Sequence, residues 1–348
     1  MPRTSETGDW FEQLFGFVER GYDETRRQLV IEDDMLRSRA NDRVFPIGRF
    51  GTPSLAELRE RTAEAPRGEL RVTHVAIGDV LELHAMPENR DALFQVASQF
   101  NCLEFASPHV TPEDGVTGYA YDPTQGPACS LAAAAATVYR NYFVPVGGKP
   151  GQTRDRQIDN LAGLDRRLGE PGAYWTVVNG YTNSEPHRLA RLERALAERD
   201  RESLLGEIAI GLHEGVGVTF ADRFTEPTQP TRVSQALCSA LSCGYSDVAH
   251  ADWEPLATLV LDAAYEATLR AALVVPRDAD ATAKVWLTRL GGGAFGNRME
   301  WITAAIGRAL AVMDGARLDV RIAHYRRIDS SVQADIEQAR RRAADSLA

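Results

Sequence analysis

Leu290-Gly291-Gly292-Gly293-Ala294-Phe295-Gly296-Asn297 follows an apolar run from Val285 to Leu290 and precedes a helical pattern from Trp301 to Met313. Strand, glycine loop, helix is the order in which α/β proteins build an anion cradle. The N–H groups of the loop and of the first helical turn point at the ligand, and the helix dipole favours its negative charge. Gly291, Gly292 and Gly293 have no Cβ, so the main chain there is free to take positive φ and to lie close to a ligand. A tight βα turn with no ligand carries the same signature, so the loop needs support from elsewhere in the chain.

Outward from this loop, β-type and helical segments alternate. Leu70–Val80, Ala92–Phe100, Trp175–Val178, Glu207–Phe220, Val233–Leu241 and Leu318–Tyr325 read as strands. Helices are expected at Trp10–Val18, at Ala128–Tyr142 (largely alanine), at His187–Leu205, at Pro255–Leu273 and at Ser330–Leu347. Ser54 followed by Glu57 is a capping-box start for a short helix to about Ala63. The alternation predicts a three-layer α/β/α fold with a mixed sheet, whose ligands bind outside the carboxyl ends of the strands. The break Ala65-Pro66-Arg67-Gly68 divides the chain into an N-terminal extension (1–67) packed on a core (68–327), followed by a C-terminal helix (328–348).

Composition narrows the functions. The 348 residues are 44% apolar and 25% charged, with a net charge of −10, which disfavours sequence-independent nucleic-acid binding. Met1–Glu6 has no apolar core of a secretory signal, and the longest purely apolar stretch, Leu131–Ala136, is too short to span a bilayer. Cys102, Cys129, Cys238 and Cys243 form no Cys-x-x-Cys, and reduced, mostly buried thiols in a cytoplasmic protein are expected. The seven histidines show no metal-ligand spacing, and no metal or cofactor is expected. A P-loop, a nucleophile elbow and a Rossmann fingerprint are all missing from the sequence.

Four segments support the glycine loop. They are Val72–Val80 ending in Gly78-Asp79-Val80, then Val96-Ala97-Ser98-Gln99-Phe100-Asn101, then Thr124-Gln125-Gly126-Pro127-Ala128-Cys129, then Gly292-Gly293-Ala294-Phe295-Gly296-Asn297. In this order the set resembles the macrodomain family, over roughly residues 70–325. The chain departs from a compact member in its long Asn101–Gly126 stretch, in Pro127, which removes an N–H donor, and in extra segments at 150–205 and 220–275.

The resemblance implies a macrodomain-like fold and ADP-ribose, or an ADP-ribosylated protein, nucleic acid or small molecule, as partner. It implies that Asp79 reads the adenine amino group with Val80 beside the base, and that Asn101 faces the distal ribose. Gly126 and Ala128 are then on one side of the diphosphate, and Gly292, Gly293, Ala294 and Phe295 on the other, with the Phe295 ring over the ligand. For Asp79 and Asn101 the residues also fit a turn-forming Asp and a strand-ending Asn bonded to its own backbone. If the protein hydrolyses an ADP-ribosyl bond, it needs a group to handle the proton. Asp122 is the first candidate, with Gln125 to position water and Glu104, Glu113 and Asp114 in reserve. Gln235 or Ser239 at the pocket rim, and Arg140 paired with a carboxylate or phosphate, are further options. A non-catalytic reader of ADP-ribose, or an interaction protein that keeps only the fold, fits the same sequence.

Overall fold

Leu93-Phe94-Gln95-Val96-Ala97 sends Leu93 into one buried cluster and Phe94 into another, as a strand covered on both faces must. Val285 and Trp286 divide between the same two clusters. In the computed structural model, which describes residues 9–220, 230–278 and 281–347, these two segments are neighbours at the centre of a seven-stranded sheet. The expectation for Met1–Glu6 lies outside the described residues.

In chain order the strands are β1 (Arg49–Gly51), β2 (Leu70–Ile77), β3 (Leu93–Ala97), β4 (Gly211–Gly217), β5 (Arg232–Cys238), β6 (Ala283–Leu287) and β7 (Leu318–Tyr325). Across the sheet the order is β1-β4-β5-β3-β6-β7-β2. From β5 to β2 all neighbours are parallel. β4 is antiparallel to both β5 and β1, so the sheet is mixed.

Helices cover both faces. On one side lie α1 (Val80–Ala85), α2 (Gln125–Ala132) and α3 (Ala134–Tyr142); on the other lie α4 (His250–Val274) and α5 (Met299–Val312), with α6 (Ser330–Leu347) packed on α5. The three-layer α/β/α arrangement is therefore present. α6 comes close because Gly307 of α5 has no side chain: a Cβ there would lie 2.5 Å from the Ala339 Cβ.

Several boundaries differ from expectation, each for a local reason. The alanine-rich helix begins at Gln125 and breaks at Ala133. Thr219, just past β4, accounts for the break: its N–H donates to the Ala132 carbonyl at 2.7 Å and its Oγ1 accepts from the Ala134 N–H at 3.1 Å. The strand expected at Ala92–Phe100 stops at Ala97, where a hydrogen-bonded turn begins. The segment at Trp175–Val178 pairs only with Tyr181–Asn183, in a hairpin outside the main sheet. Arg49–Gly51, from within residues 1–67, forms the sheet edge as β1 beside β4. The helix after Ser54 has its capping box, as the sequence predicts.

Candidate functional site

β3 lies between β5 and β6, and the carboxyl ends of these three parallel strands open into a cavity of about 210 Å³. The Thr288–Phe295 loop enters from β6, and Ala97, Ser98 and Gln99 enter from β3. The N-terminus of α2 forms the facing wall with Thr124, Gln125 and Gly126. Gly126 is what allows α2 to approach: a Cβ there would lie 1.9 Å from the Ala97 carbonyl oxygen. The two main-chain segments singled out in the sequence, around Gly126 and around Gly293, thus face one cavity.

Main-chain N–H groups are available on both walls. Those of Gly293, Ala294 and Phe295 find no acceptor among the described residues, and neither do those of Gln125 and Gly126 at the start of α2. The loop holds its shape by other bonds. Gly291 has φ of +71°, the Asn297 N–H donates to the Gly291 carbonyl, and Asn297 Nδ2 donates to the Leu241 carbonyl at 2.7 Å. Gly293 faces open space, with no atom within 4 Å of where a Cβ would stand.

Phe295 joins Tyr181 and Tyr245 in an aromatic cluster on the cavity wall, with centroid separations of 5.0 to 5.8 Å. Tyr181 comes from the hairpin within the extra segment 150–205. Its hydroxyl donates to the Phe105 carbonyl at 2.6 Å and so fixes the loop that follows β3.

That loop carries the carboxyl with the most unusual surroundings. The Gln99 amide accepts from the Phe105 N–H and donates to the Phe105 carbonyl, which closes a tight turn. The turn carries Glu104 into the cavity wall, buried, with its N–H bonded to the Tyr119 hydroxyl at 2.9 Å. Glu104 Oε2 accepts from Ser130 Oγ at 2.6 Å and lies 3.9 Å from Arg140. Glu104 Oε1 is buried with no hydrogen-bond partner among the described residues. Burial pushes this carboxyl up to about 7, against the opposing pull of Arg140 and the Ser130 hydroxyl. Arg140 is itself wholly buried, with Nε on the Cys102 carbonyl and one terminal nitrogen on both Ser130 and Thr137.

Other expected site residues are placed differently. Asn101 is buried outside the lining, with Oδ1 accepting from the Leu103 N–H and Nδ2 donating to Gln157. Its amide shapes the turn and stands apart from the cavity lining. Asp79 accepts from the Leu81 N–H as the cap of α1, and neither it nor Val80 lines the cavity. Ala128 lies outside the lining and its N–H is taken by the Thr124 carbonyl. Gly292 also lies outside, with its N–H directed to Arg289. Gln125 lines the cavity, but its amide accepts from the Ala97 N–H and donates to the Gln95 carbonyl, so it docks α2 on β3. Asp122 lines the mouth half-buried, with Oδ1 accepting from the Thr124 N–H. Gln235 donates to the Cys129 carbonyl and Ser239 to the Ala240 carbonyl, both away from the lining. Glu113 accepts from the Arg154 N–H, and Asp114 belongs to a capping box with Thr111.

The four cysteines are buried free thiols. Among the described residues no group of three or more His, Cys, Asp or Glu gathers as a metal site, and no helix is long and apolar enough to cross a membrane.

No protein-family model and no curated protein matches the chain. Among solved structures it is similar to poly(ADP-ribose) glycohydrolase from Deinococcus radiodurans in complex with ADP-ribose. That match has 16% identity, 86% coverage of this chain and 94% of that one, and a TM-score of 0.43. It is also similar to poly(ADP-ribose) glycohydrolase from Thermomonospora curvata bound to the inhibitor ADP-HPD, at 14% identity, 91% and 95% coverage and a TM-score of 0.44. At these identities the chemistry has to be read from the cavity itself.

Proposed function

We propose that this cavity binds ADP-ribose through its diphosphate and that the protein hydrolyses an ADP-ribosyl bond, with Glu104 as the group that moves the proton. The supporting observation is Glu104 Oε1, a buried and unpartnered carboxyl oxygen on a residue that lines the same cavity as two sets of unengaged N–H donors. Backbone N–H groups without internal acceptors suit an anion that needs several fixed donors, and a diphosphate offers two phosphates as acceptors to the two sets. The aromatic cluster of Tyr181, Tyr245 and Phe295 gives the organic part of the ligand a flat apolar surface.

The chemistry follows from Glu104. A carboxyl at about 7 is divided between its two forms near neutral pH, as a group that must first give and then take a proton requires. Glu104 gives its proton to the leaving atom as the bond from the ribose anomeric carbon breaks. The carboxylate so formed then takes a proton from the water that adds to that carbon. Charge on the oxocarbenium-like ribose is greatest between these two events, where a nearby carboxylate stabilises it. Glu104 replaces Asp122 as the carboxylate of choice because Asp122 is half-buried at the mouth, with Oδ1 engaged by the Thr124 N–H just before α2.

The test is release of ADP-ribose from an ADP-ribosylated protein, alongside calorimetry with free ADP-ribose. The wild-type protein is expected to bind and to turn over. Glu104→Gln is expected to bind within a few-fold of wild type and to lose at least about 100-fold in rate, in line with the usual contribution of a general acid–base. Binding by wild type without turnover would make the protein a reader. No heat of binding at millimolar ADP-ribose would remove both readings.

A further inference from the structure

Arg289 is the residue in the cavity wall whose chemistry the proposal above leaves unused. It is the only lysine or arginine among the described lining residues, in a wall that also holds Glu104 and Asp122. Its guanidinium has five N–H donors, yet it makes no hydrogen bond and no ion pair with any described residue. Arg59, Arg140, Arg270 and Arg308, which are partly or wholly buried, each meet a carboxylate. Arg289 is also half-buried, so water compensates it only in part.

Its backbone, by contrast, is tightly held. The Tyr265 hydroxyl, from α4, donates to the Thr288 carbonyl at 2.7 Å and accepts from the Leu290 N–H at 2.9 Å, gripping the chain on both sides of Arg289. The Thr288 N–H donates to Gln95 Oε1 at 3.2 Å, and the Gly292 N–H returns to the Arg289 carbonyl at 3.3 Å. A rigid stem carrying a guanidinium with no hydrogen-bonded partner among the described residues, its charge reaching Asp329, His324 and Tyr265 only through space, is arranged for a group that arrives from outside. Four residues on, the same loop offers the unengaged N–H groups of Gly293, Ala294 and Phe295.

We propose that Arg289 binds a phosphate group of the ligand and supplies the full positive charge that the main-chain donors lack. The proposal rests on the reading of this cavity as a diphosphate site, and it deepens that reading by making ligand charge the selected property. A diphosphate brings two negative charges into a wall that already holds two carboxyls, and neutral N–H dipoles offset such charge less well than a guanidinium does. Arg289 therefore selects phosphorylated ligands over the corresponding nucleosides. Its planar fork prefers two phosphate oxygens at once, which a lysine does not reproduce.

The experiment is calorimetry of wild type, Arg289→Gln and Arg289→Lys with ADP-ribose and with inorganic pyrophosphate, at two salt concentrations. Melting temperatures are expected to be close to wild type, because the Arg289 side chain makes no hydrogen bond with a described residue. Glutamine is expected to weaken both ligands by about 10- to 100-fold, as loss of a charge-assisted hydrogen-bonding partner does, and to flatten the salt dependence. Lysine is expected to lose less than glutamine. Wild-type affinity for both ligands in a folded Arg289→Gln protein would overturn the assignment while leaving the cavity's reading intact. Arg289-dependent pyrophosphate binding without any ADP-ribose binding would support Arg289 and overturn the functional reading. A wild-type protein that binds neither ligand would overturn both.

Discussion

Burial drives the Glu104 carboxyl toward its neutral form, and Arg140 and Ser130 pull it back. The balance makes Ser130 a positioning residue with a testable effect. Ser130→Ala removes a 2.6 Å hydrogen bond to Oε2, so the carboxyl is expected to rise by about one further unit. If the protonated form is the one that acts on the leaving group, activity falls as pH rises through this value. The falling limb of the pH–rate profile then moves to higher pH in Ser130→Ala, and an unmoved limb would show that another group sets it. Sequence favoured Asp122 over Glu104 because a charge in a long loop is usually solvated. The signal in favour of Glu104 was its setting, Leu103-Glu104-Phe105, a lone carboxylate between two large apolar residues that both prove buried. Asn101 misled in the opposite direction: an Asn at a strand end suits a ribose and suits its own turn equally, and the Leu103 N–H is the nearer partner.

At the scale of elements, the two glycine-bearing walls have different requirements. Gly126 is a packing glycine, set where a Cβ would collide with the Ala97 carbonyl of β3. Gly126→Ala is expected to push α2 from the sheet, cost about 1–3 kcal/mol and weaken ligand binding together with stability. Gly293 has open space and no positive φ, so Gly293→Ala is expected to leave the melting temperature unchanged and to affect ligand binding alone. Thermal melts beside calorimetry separate the two outcomes, and equal destabilisation by both substitutions would contradict this assignment. The Gly291–Gly296 loop was legible as a turn between strand and helix, since β6 and α5 flank it. Less legible was which glycine supplies the conformation: Gly291 and Gly296 take positive φ, and Gly292 and Gly293 do not. Local sequence presents the glycines alike; in the fold a Cβ at Gly291 would meet the Ala240 Cβ at 2.5 Å and Asn297 Nδ2 at 2.6 Å.

An ion cluster outside the cavity lining, centred on the buried Glu266, ties several elements together. Glu266 of α4 meets Arg59 from the helix Leu55–Arg61, Arg270 from its own helix and Arg308 from α5. Burial alone would raise the Glu266 carboxyl, but the hydrogen bonds from Arg59 and Arg270 outweigh it and hold it at about 2. Because the folded value lies below the ordinary 4.5, the stability this group contributes is complete above that pH and is lost as pH falls from 4.5 toward 2. Glu266→Gln leaves three arginines without their shared partner and is expected to cost about 3–5 kcal/mol at neutral pH. Chemical denaturation across pH should show a weaker acid dependence in the variant; an equal midpoint at pH 7 would mean the cluster does not join the N-terminal helix to the core.

What the sequence determined alone was local and periodic. The alternation of apolar runs with helical patterns, the capping box at Ser54 and the glycine loop after β6 each depend on neighbours within a few residues, and they specify a layered α/β chain. Strand order, the break at Ala133 made by Thr219, the edge position of Arg49–Gly51 and the meeting of Glu104, Gly126 and Arg289 at one cavity belong to the tertiary structure. These depend on desolvation and on hydrogen bonds between residues tens to hundreds of positions apart. Whether a carboxylate is solvated or buried beside an arginine is decided by that packing, and no local pattern encodes it.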